Sequence, residues 1–515
     1  MLRLLSLFRS RPPPFAVRAM STRTYRDAVD SLNSLQSNAA ALELVRASGG
    51  RSSAFAIPEM IEYLGVIGYQ PADLNAINAI HITGTKGKGS TSAFTESILR
   101  EAQPHWKTGL YTSPHLVAVR ERIRINGKPL SEEDFAKFFF EVWDRIDENK
   151  TRVETTPDKP GYFRFMTLVA FHTFLSLKVD VTILEVGVGG THDSTNIVPK
   201  PVVTGITALG IDHVNVLGKT LGEIAWQKGG IFKEGVPAFT VNQPAEGLDV
   251  LKQQAKDLKS SEFNVLSTVP GLSDIKLGLA GAHQIQNATL AVHLARSFLQ
   301  SRGVVSPDEL LADSFVEGLE KARWPGRCQT VIDPAFTNTT WYLDGAHTLE
   351  SLECCIQWFV SPGFGLQVQP RTRVLVFNCT NGRSGSAFLK SMHSHIATQL
   401  KLFNADETPP SFFDHVIFCT NVTYADGGFK GDLTTLAIPD ADLAELKTQN
   451  QLALAWSSLI PTFPSGNIHV LPSIEHAVNL IRRLESGTDP VDVLVAGSLH
   501  LVGGVIEVAG LSFSL

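Results

Sequence analysis

The segment from Asn78 to Arg100 constrains the fold more than any other part of the chain. Asn78-Ala79-Ile80-His81-Ile82-Thr83 reads as a short strand, and it runs straight into Gly84-Thr85-Lys86-Gly87-Lys88-Gly89-Ser90-Thr91. The stretch from Ser90 to Arg100 has helical character. Strand, glycine-rich turn and helix in that order are the setting a phosphate-binding loop needs. Glycines let backbone N–H groups face phosphate oxygens, Lys88 adds a positive charge, and the helix N-terminus adds its dipole. The whole run Gly84, Thr85, Lys86, Gly87, Lys88, Gly89, Ser90 and Thr91 is therefore assigned to ATP. Its spacing departs from the strict G-x-x-x-x-G-K-S/T form. With Gly87-Lys88 as the Gly-Lys pair, Ile82 stands at the first glycine position and Gly89 follows the lysine. The hydroxyls of Ser90 and Thr91 thus arrive one place late, with Ser90 still able to reach a Mg²⁺.

A chain of 515 residues calls for two sizeable domains. Helix is expected over Tyr25–Leu64, Phe163–Leu177, Leu221–Ile231 and Gly281–Gln300, and strands over Val179–Val188, Val202–Ala208 and Pro237–Val241. Such alternation implies a parallel sheet covered on both faces. A second alternation begins at Thr340–Asp344 and continues through Arg373–Asn378, His415–Thr420, Ile468–Leu471 and Val491–Ala496. The fold class is α/β: an N-terminal ATPase-like parallel sheet flanked by helices, then a smaller Rossmann-like C-terminal domain. The expected divisions are 1–24, 25–328 and 329–515, with a hinge over 328–339. Polar stretches at Asn381–Phe413 and Asn421–Asn450 read as loop-rich or inserted.

Composition excludes several classes. A net charge of −6 gives no basic face for nucleic acid, and no apolar stretch is long and pure enough to span a bilayer. The cysteines, Cys328, Cys354, Cys355, Cys379 and Cys419, lack zinc-ligand spacing and fit a reducing compartment better than a disulfide scaffold. Arg3, Arg9, Arg11, Arg18, Arg23 and Arg26 precede the first acidic residue, Asp27, with Leu and Phe interleaved. That is the pattern of a mitochondrial targeting leader, the alternative being a disordered basic tail. Met20 offers a second start for a cytosolic product.

Further chemistry sits at strand ends. Glu185 closes an apolar run and is followed by Val186-Gly187-Val188-Gly189-Gly190, where a carboxylate either binds Mg²⁺ or caps the strand. His213, in Ile211-Asp212-His213, is a metal ligand or a plain hydrogen-bonding residue, and Lys228 taken alone would be a solvated lysine. Asp344 and His347 either bind an amine and a carboxylate or begin a helix, and Ser498 ends the last strong strand in a similar way.

These pieces resemble the folylpolyglutamate synthases, a branch of the ATP-dependent ligases related to the Mur ligases. The resemblance runs from Tyr25 to Gly504 and rests on segments in one order: His81–Ser90, Thr112–Leu116, Arg120–Gly127, Glu185–Gly190, Asp193–Asn196, Gly210–His213, Ala225–Phe232, Trp324–Arg327 and Asp344–His347. It implies that Lys88 binds ATP phosphates, and that Ser90, Ser113, Glu185, His213 and Lys228 belong to the metal site. Lys228 matches a lysine carried as a carbamate in relatives. Asn287 and Arg327 match ATP contacts, and Asp344, His347 and Ser498 match the glutamate-binding group. Lys88, Lys228, Asp344 and His347 are the implied catalytic residues. Ala282 and the segment Asn381–Ser384 depart from the family pattern. The resemblance further implies ATP, Mg²⁺ and a monovalent cation such as K⁺, with tetrahydrofolates and L-glutamate as substrates, in a monomer serving mitochondrion and cytoplasm. Dihydrofolate synthase and a non-catalytic ATP-binding regulator of the same fold are the competing readings.

Overall fold

The computed structural model describes residues 23–37, 55–149, 153, 156–304, 311–367, 370–379, 384–434, 440–484 and 489–512. The leader apart from its last two residues, Met20 and Asn381–Arg383 lie outside them.

The strands of the first sheet are β1 (Ala79–Thr83), β2 (Thr108–Tyr111), β3 (Ile123–Ile125), β4 (Lys128–Pro129), β5 (Val181–Glu185), β6 (Val203–Ile206), β7 (Pro237–Val241) and β8 (Glu262–Leu266). Their order is β4-β3-β2-β5-β1-β6-β7-β8. All pair in parallel from β2 to β8 across the sheet, and β3 and β4 add an antiparallel edge. β1 is buried throughout, with Ile82 opposite Glu185 on one side and Thr83 opposite Ile206 on the other. The chain leaves β1 toward β2 on one side, and from β5 it crosses to β6 on the other. Such a reversal opens a crevice beyond the strand C-termini, where open α/β sheets bind their ligands.

Helices cover both faces. On one lie α1 (Tyr25–Asn33), α2 (Ala56–Val66), α4 (Glu132–Glu148) and α5 (Tyr162–Leu177); on the other lie α3 (Lys88–Ala102), α8 (Gln284–Ser301) and α9 (Asp313–Lys321). Between them in sequence come α6 (Leu221–Gly229) and α7 (Ala245–Asp257). Helix α4 shows why these segments hold their shape. Ser131 caps its N-terminus, Glu132, Glu133 and Asp134 complement the dipole, and Phe135, Phe139 and Val142 return on one buried face.

The second sheet takes β9 (Gln329–Ile332), β10 (Thr339–Leu343), β11 (Thr372–Phe377), β12 (His415–Cys419), β13 (Ile468–Leu471) and β14 (Val491–Ala496), ordered β13-β12-β11-β14-β10-β9. Only β9 is antiparallel. Its longer helices are α10 (Leu349–Phe359), α11 (Gly385–Leu402), α12 (Lys447–Leu459), α13 (Ile474–Leu484) and α14 (Leu499–Val508).

Three expectations need correction. The span Tyr25–Leu64 contains α1 and the start of α2 rather than one helix, with 38–54 outside the described residues. The stretch expected to be loop-rich holds α11, whose buried Phe388, Leu389, Met392, Ile396 and Leu400 share a face hidden by polar neighbours, and the second polar stretch runs into α12. Residues 328–339 are no simple hinge: β9 pairs back on β10, and the Asp333 carboxylate accepts the amides of Ala335 and Phe336 in the turn between them. The chain crosses between sheets at Pro325–Cys328, where Cys328 adopts a left-handed φ of 44°.

Close packing of α9 on α3 depends on a missing side chain. A Cβ at Gly318 would lie 2.5 Å from Ile98 Cα and 2.8 Å from its backbone nitrogen, atoms that cannot move independently of the helix. Gly318→Ala should destabilise the protein by about 1–3 kcal/mol. Urea unfolding checks this, and an unchanged midpoint would mean that the two helices slide apart freely.

Candidate active site

The glycine loop joins β1 to α3 through backbone angles that favour glycine. Gly84 has φ 151° and Gly87 has φ 86°. A Cβ on Gly84 would fall 1.7 Å from Thr207 Oγ1, and one on Gly87 would fall 2.1 Å from Asn287 Oδ1. The loop is pinned to the end of β6, because the amides of Thr85 and Lys86 both donate to the Ala208 carbonyl, at 2.9 and 3.1 Å. This narrows the expectation that every residue of the loop faces phosphate. The amides left for an anion are those of the first turn of α3, which have no acceptor inside the helix. Lys86 turns to Asp212, with Nζ 3.3 Å from Oδ2.

Two lysines converge on one acceptor. Lys88 Nζ donates to the Gly84 carbonyl at 3.1 Å and Lys228 Nζ donates to the same oxygen at 2.8 Å. Lys228 lies at the end of α6 and is 3% exposed. Burial, with the neighbouring Lys88 charge, pushes its ammonium well below the usual lysine range. The neutral amine thereby favoured is a nucleophile, which the bland reading of a solvated lysine does not provide.

Glu185, at the buried end of β5, accepts the Ser113 amide at 3.3 Å. Burial lifts its pKa to about 7, against the opposing charges of Lys88 and Arg327. A carboxylate so short of cationic compensation suits a hard divalent ion. Among the described residues no three His, Cys, Asp or Glu side chains form a cage for a metal. Mg²⁺ needs none, since it is commonly held by one or two carboxylates together with substrate phosphates. The donors present therefore fit it: the Glu185 carboxylate and the Ser90 hydroxyl at the start of α3. His213 fits less closely, being exposed at the start of a short helix with φ 52°.

Helix α8 closes the loop from its other side. Gln284, fully buried, donates to Ser90 Oγ at 3.4 Å and accepts from Asn287 Nδ2 at 2.9 Å. Gln284 escaped the sequence reading, although it stands two residues beyond Ala282, within the helix expected over Gly281–Gln300. Asn287 sits directly over Gly87, and the indole of Trp324 abuts Gly89.

The second sheet meets this site through β10. Asp344 is buried, and its carboxylate accepts the amides of Cys328 at 2.7 Å and Ala346 at 2.8 Å, plus the Cys328 thiol at 3.2 Å. Gly345 N–H reaches the Gly326 carbonyl at 2.9 Å. Asp344 thus fastens the crossing turn to β10, a structural task that the sequence alone left unassigned. His347 Nδ1 pairs with the Gly345 carbonyl at 2.7 Å, just before α10, and Ser498 precedes α14. Arg327, on the same turn as Cys328, extends its charge to Glu185. A pocket at this seam is lined by Thr112, Pro114, Glu121, Arg124, Trp324 and Arg327. The residues brought together are therefore Lys88, Lys228, Glu185, Ser113 and Arg327, with Ser90, Gln284 and Asn287 adjoining the loop.

No protein-family model matches the chain. It is 44% identical over 507 residues to folylpolyglutamate synthases of Saccharomyces cerevisiae strains FostersO and ATCC 204508 / S288c, covering 95% of this chain and 87% of each relative. Solved structures share its fold. Folylpolyglutamate synthase of Mycobacterium tuberculosis, complexed with ADP and AMPPCP, aligns with a TM-score of 0.66 at 23% identity, covering 88% of this chain and 95% of the other. That of Thermotoga maritima gives 0.62 at 25% identity, covering 88% and 93%. E. coli FolC in complex with DHPP and ADP gives 0.63 at 22% identity, covering 96% and 99%.

The loop geometry can be tested at Gly87. Gly87→Ala forces a side chain into the left-handed region and against Asn287. Affinity for ADP should fall by about tenfold or more, roughly 1.4 kcal/mol, as measured by calorimetry. Retention of the original affinity would show that the nucleotide binds elsewhere.

Proposed function

The chain belongs to the folylpolyglutamate synthase family and is an ATP-dependent ligase, and from that premise we propose that it joins L-glutamate to the γ-carboxylate of tetrahydrofolate and of its polyglutamates. The observation that carries this reading is the convergence of Lys88 and Lys228 on Gly84, together with the buried Glu185 on which the charges of both Lys88 and Arg327 act.

The reaction has two steps. A folate γ-carboxylate oxygen attacks the γ-phosphorus of ATP, the bond to the bridging oxygen breaks, and ADP leaves, giving an acyl phosphate. The glutamate amine then attacks the acyl carbon, phosphate departs with the C–O electron pair, and the amine loses a proton to form the amide. Phosphoryl transfer depends mainly on positioning and charge neutralisation. Lys88 and the first-turn amides of α3 hold the phosphates, and Arg327 brings charge from the turn toward the second sheet. Asp344, with His347 and Ser498 alongside, would orient the incoming glutamate, Asp344 through the turn it fastens. Mg²⁺ would be held by Ser90 and Glu185, with Ser113 and His213 from the family pattern, and would supply further charge neutralisation; a monovalent cation such as K⁺ completes this reading.

Lys228 adds a distinct element. Its amine, held in the interior and pushed by burial toward the neutral form, is suited to attack the carbon of CO₂ and release a proton to solvent, giving a carbamate whose oxygens can serve as ligands. Lys228→Ala should abolish turnover, and bicarbonate should raise the activity of CO₂-stripped enzyme. Full activity in Lys228→Ala would remove it from the site. The chain is further proposed to act as a monomer in mitochondrion and cytoplasm, the cytosolic form starting at Met20. Detection of only unprocessed full-length protein in the cytosol would count against that dual placement.

The acceptor is decided by assay. Purified protein with ATP, Mg²⁺ and glutamate should release ADP and form product with tetrahydrofolate. Activity with dihydropteroate alone would identify a dihydrofolate synthase instead. No ADP release with either acceptor would favour the non-catalytic regulator.

A further inference from the structure

The segment between Ser113 and Arg122 is anchored in the first lobe at its start and reaches the second lobe in two further places. At its start, the Ser113 amide meets Glu185. In its middle, Leu116 and Val117 are buried in the apolar core beneath the second sheet, with Val374, Val495 and Val502. There is no room to spare, since a Cβ on Gly503 of α14 would lie 1.7 Å from the Leu116 carbonyl oxygen. At its end, the Val119 amide donates to Asp432 Oδ1 at 2.7 Å. Glu121 holds the turn in shape by accepting the amides of Leu116, Val117 and Ala118 at 3.0, 3.0 and 2.6 Å.

Asp432 belongs to the polypeptide after β12, within a stretch the sequence suggested was loop or insertion. That strap is anchored to the second lobe: Lys430 Nζ pairs with Glu507 at 2.6 Å, and the amides of Ile474 and Glu475 donate to the Val422 and Thr423 carbonyls. Its tip reaches the first lobe. The Tyr25 hydroxyl of α1 donates to the Asp432 carboxylate, His115 Nε2 lies 2.8 Å from the Asp432 carbonyl, Asn33 Nδ2 donates to the Gly431 carbonyl at 2.9 Å, and Gln36 Nε2 to that of Thr434 at 2.9 Å. Arg122 Nε supports His115 through Nδ1 at 3.0 Å.

We infer that Asp432 is a positioning residue for the ligase reaction: it clasps the Ser113–Arg122 segment from the second lobe and so fixes Ser113 and Glu185 relative to the glutamate-binding side. A carboxylate is suited to this because it accepts several donors at once, and here those donors come from different elements of the opposite lobe. The inference rests on the functional reading above, and contacts far from the reacting atoms act on rate by holding geometry.

The test compares Asp432→Ala, Asp432→Asn and Tyr25→Phe in steady-state assays with tetrahydrofolate, ATP and glutamate, scaled to active sites counted by ADP titration. Asp432→Ala should lower kcat by about tenfold and raise the glutamate KM severalfold, with the ATP KM within about twofold, because the phosphate loop is not clasped. Asp432→Asn keeps an acceptor for the Val119 amide and should recover at least half of kcat. Tyr25→Phe should give a smaller loss that does not add to that of Asp432→Ala, as expected for groups acting through one contact. Hydrogen exchange at the Val119 amide should quicken in Asp432→Ala, an observation independent of turnover. Unchanged kcat and glutamate KM in Asp432→Ala overturn the positioning role alone, as does an Asp432→Asn variant no better than Asp432→Ala. An unaltered protein without turnover on any folate overturns the functional reading and this role with it.

Discussion

The carbonyl of Gly84 is the point on which the site depends. It accepts hydrogen bonds from Lys88 and Lys228, which come from different helices, while the absence of a side chain on the same residue lets Thr207 approach from β6. Burial first, and the neighbouring Lys88 charge second, push the Lys228 ammonium well below the usual lysine range. The phosphate loop and the remote lysine are therefore one electrostatic unit. A change at Gly84 would disturb backbone, cation and the end of β6 together.

Much of this was legible in the sequence, and the reason lies in periodicity and punctuation. β1 and the glycines after it announce themselves because a buried strand must be apolar and a tight turn needs left-handed backbone. Pro237–Val241, Ile468–Leu471 and Val491–Ala496 coincide with the observed strands because each is a short apolar run with clear ends. The misses have equally specific causes. Helix α11 carries its apolar face among Ser, His, Thr and Gln residues, which dilute the signal. β9 is an edge strand with only one well-buried residue, so it reads as connector. Gln284 gives no local signal at all, because its importance comes from meeting Ser90 across the fold. Asp344 was noticed, yet its tie to Cys328 depends on a turn that only the tertiary structure closes.

The two sheets are joined by contacts of different kinds. Backbone hydrogen bonds link Gly345 to Gly326, apolar side chains from Leu116–Val117 enter the second core, and polar contacts spread along the strap around Asp432. Apolar insertion is non-directional and tolerates small adjustments, whereas the carboxylate contacts fix angle and distance. A ligase that must bring an amine to an acyl phosphate needs both properties: lobes that stay together, and a defined registration when they do.

The Cys328 thiol has a consequence of another sort. It follows Arg327 directly in the chain, and burial and the Asp344 carboxylate push its pKa well above the ordinary thiol range. A thiol kept protonated is a hydrogen-bond donor and a poor nucleophile, since thiolate is the form that reacts with oxidants and electrophiles. The sulfur at the crossing between the lobes is therefore placed as a buried donor to Asp344 rather than as an exposed thiolate. Cys354 on α10 is less deeply buried, yet burial lifts its thiol as well, to about 11, so the two cysteines differ in access rather than in thiolate character.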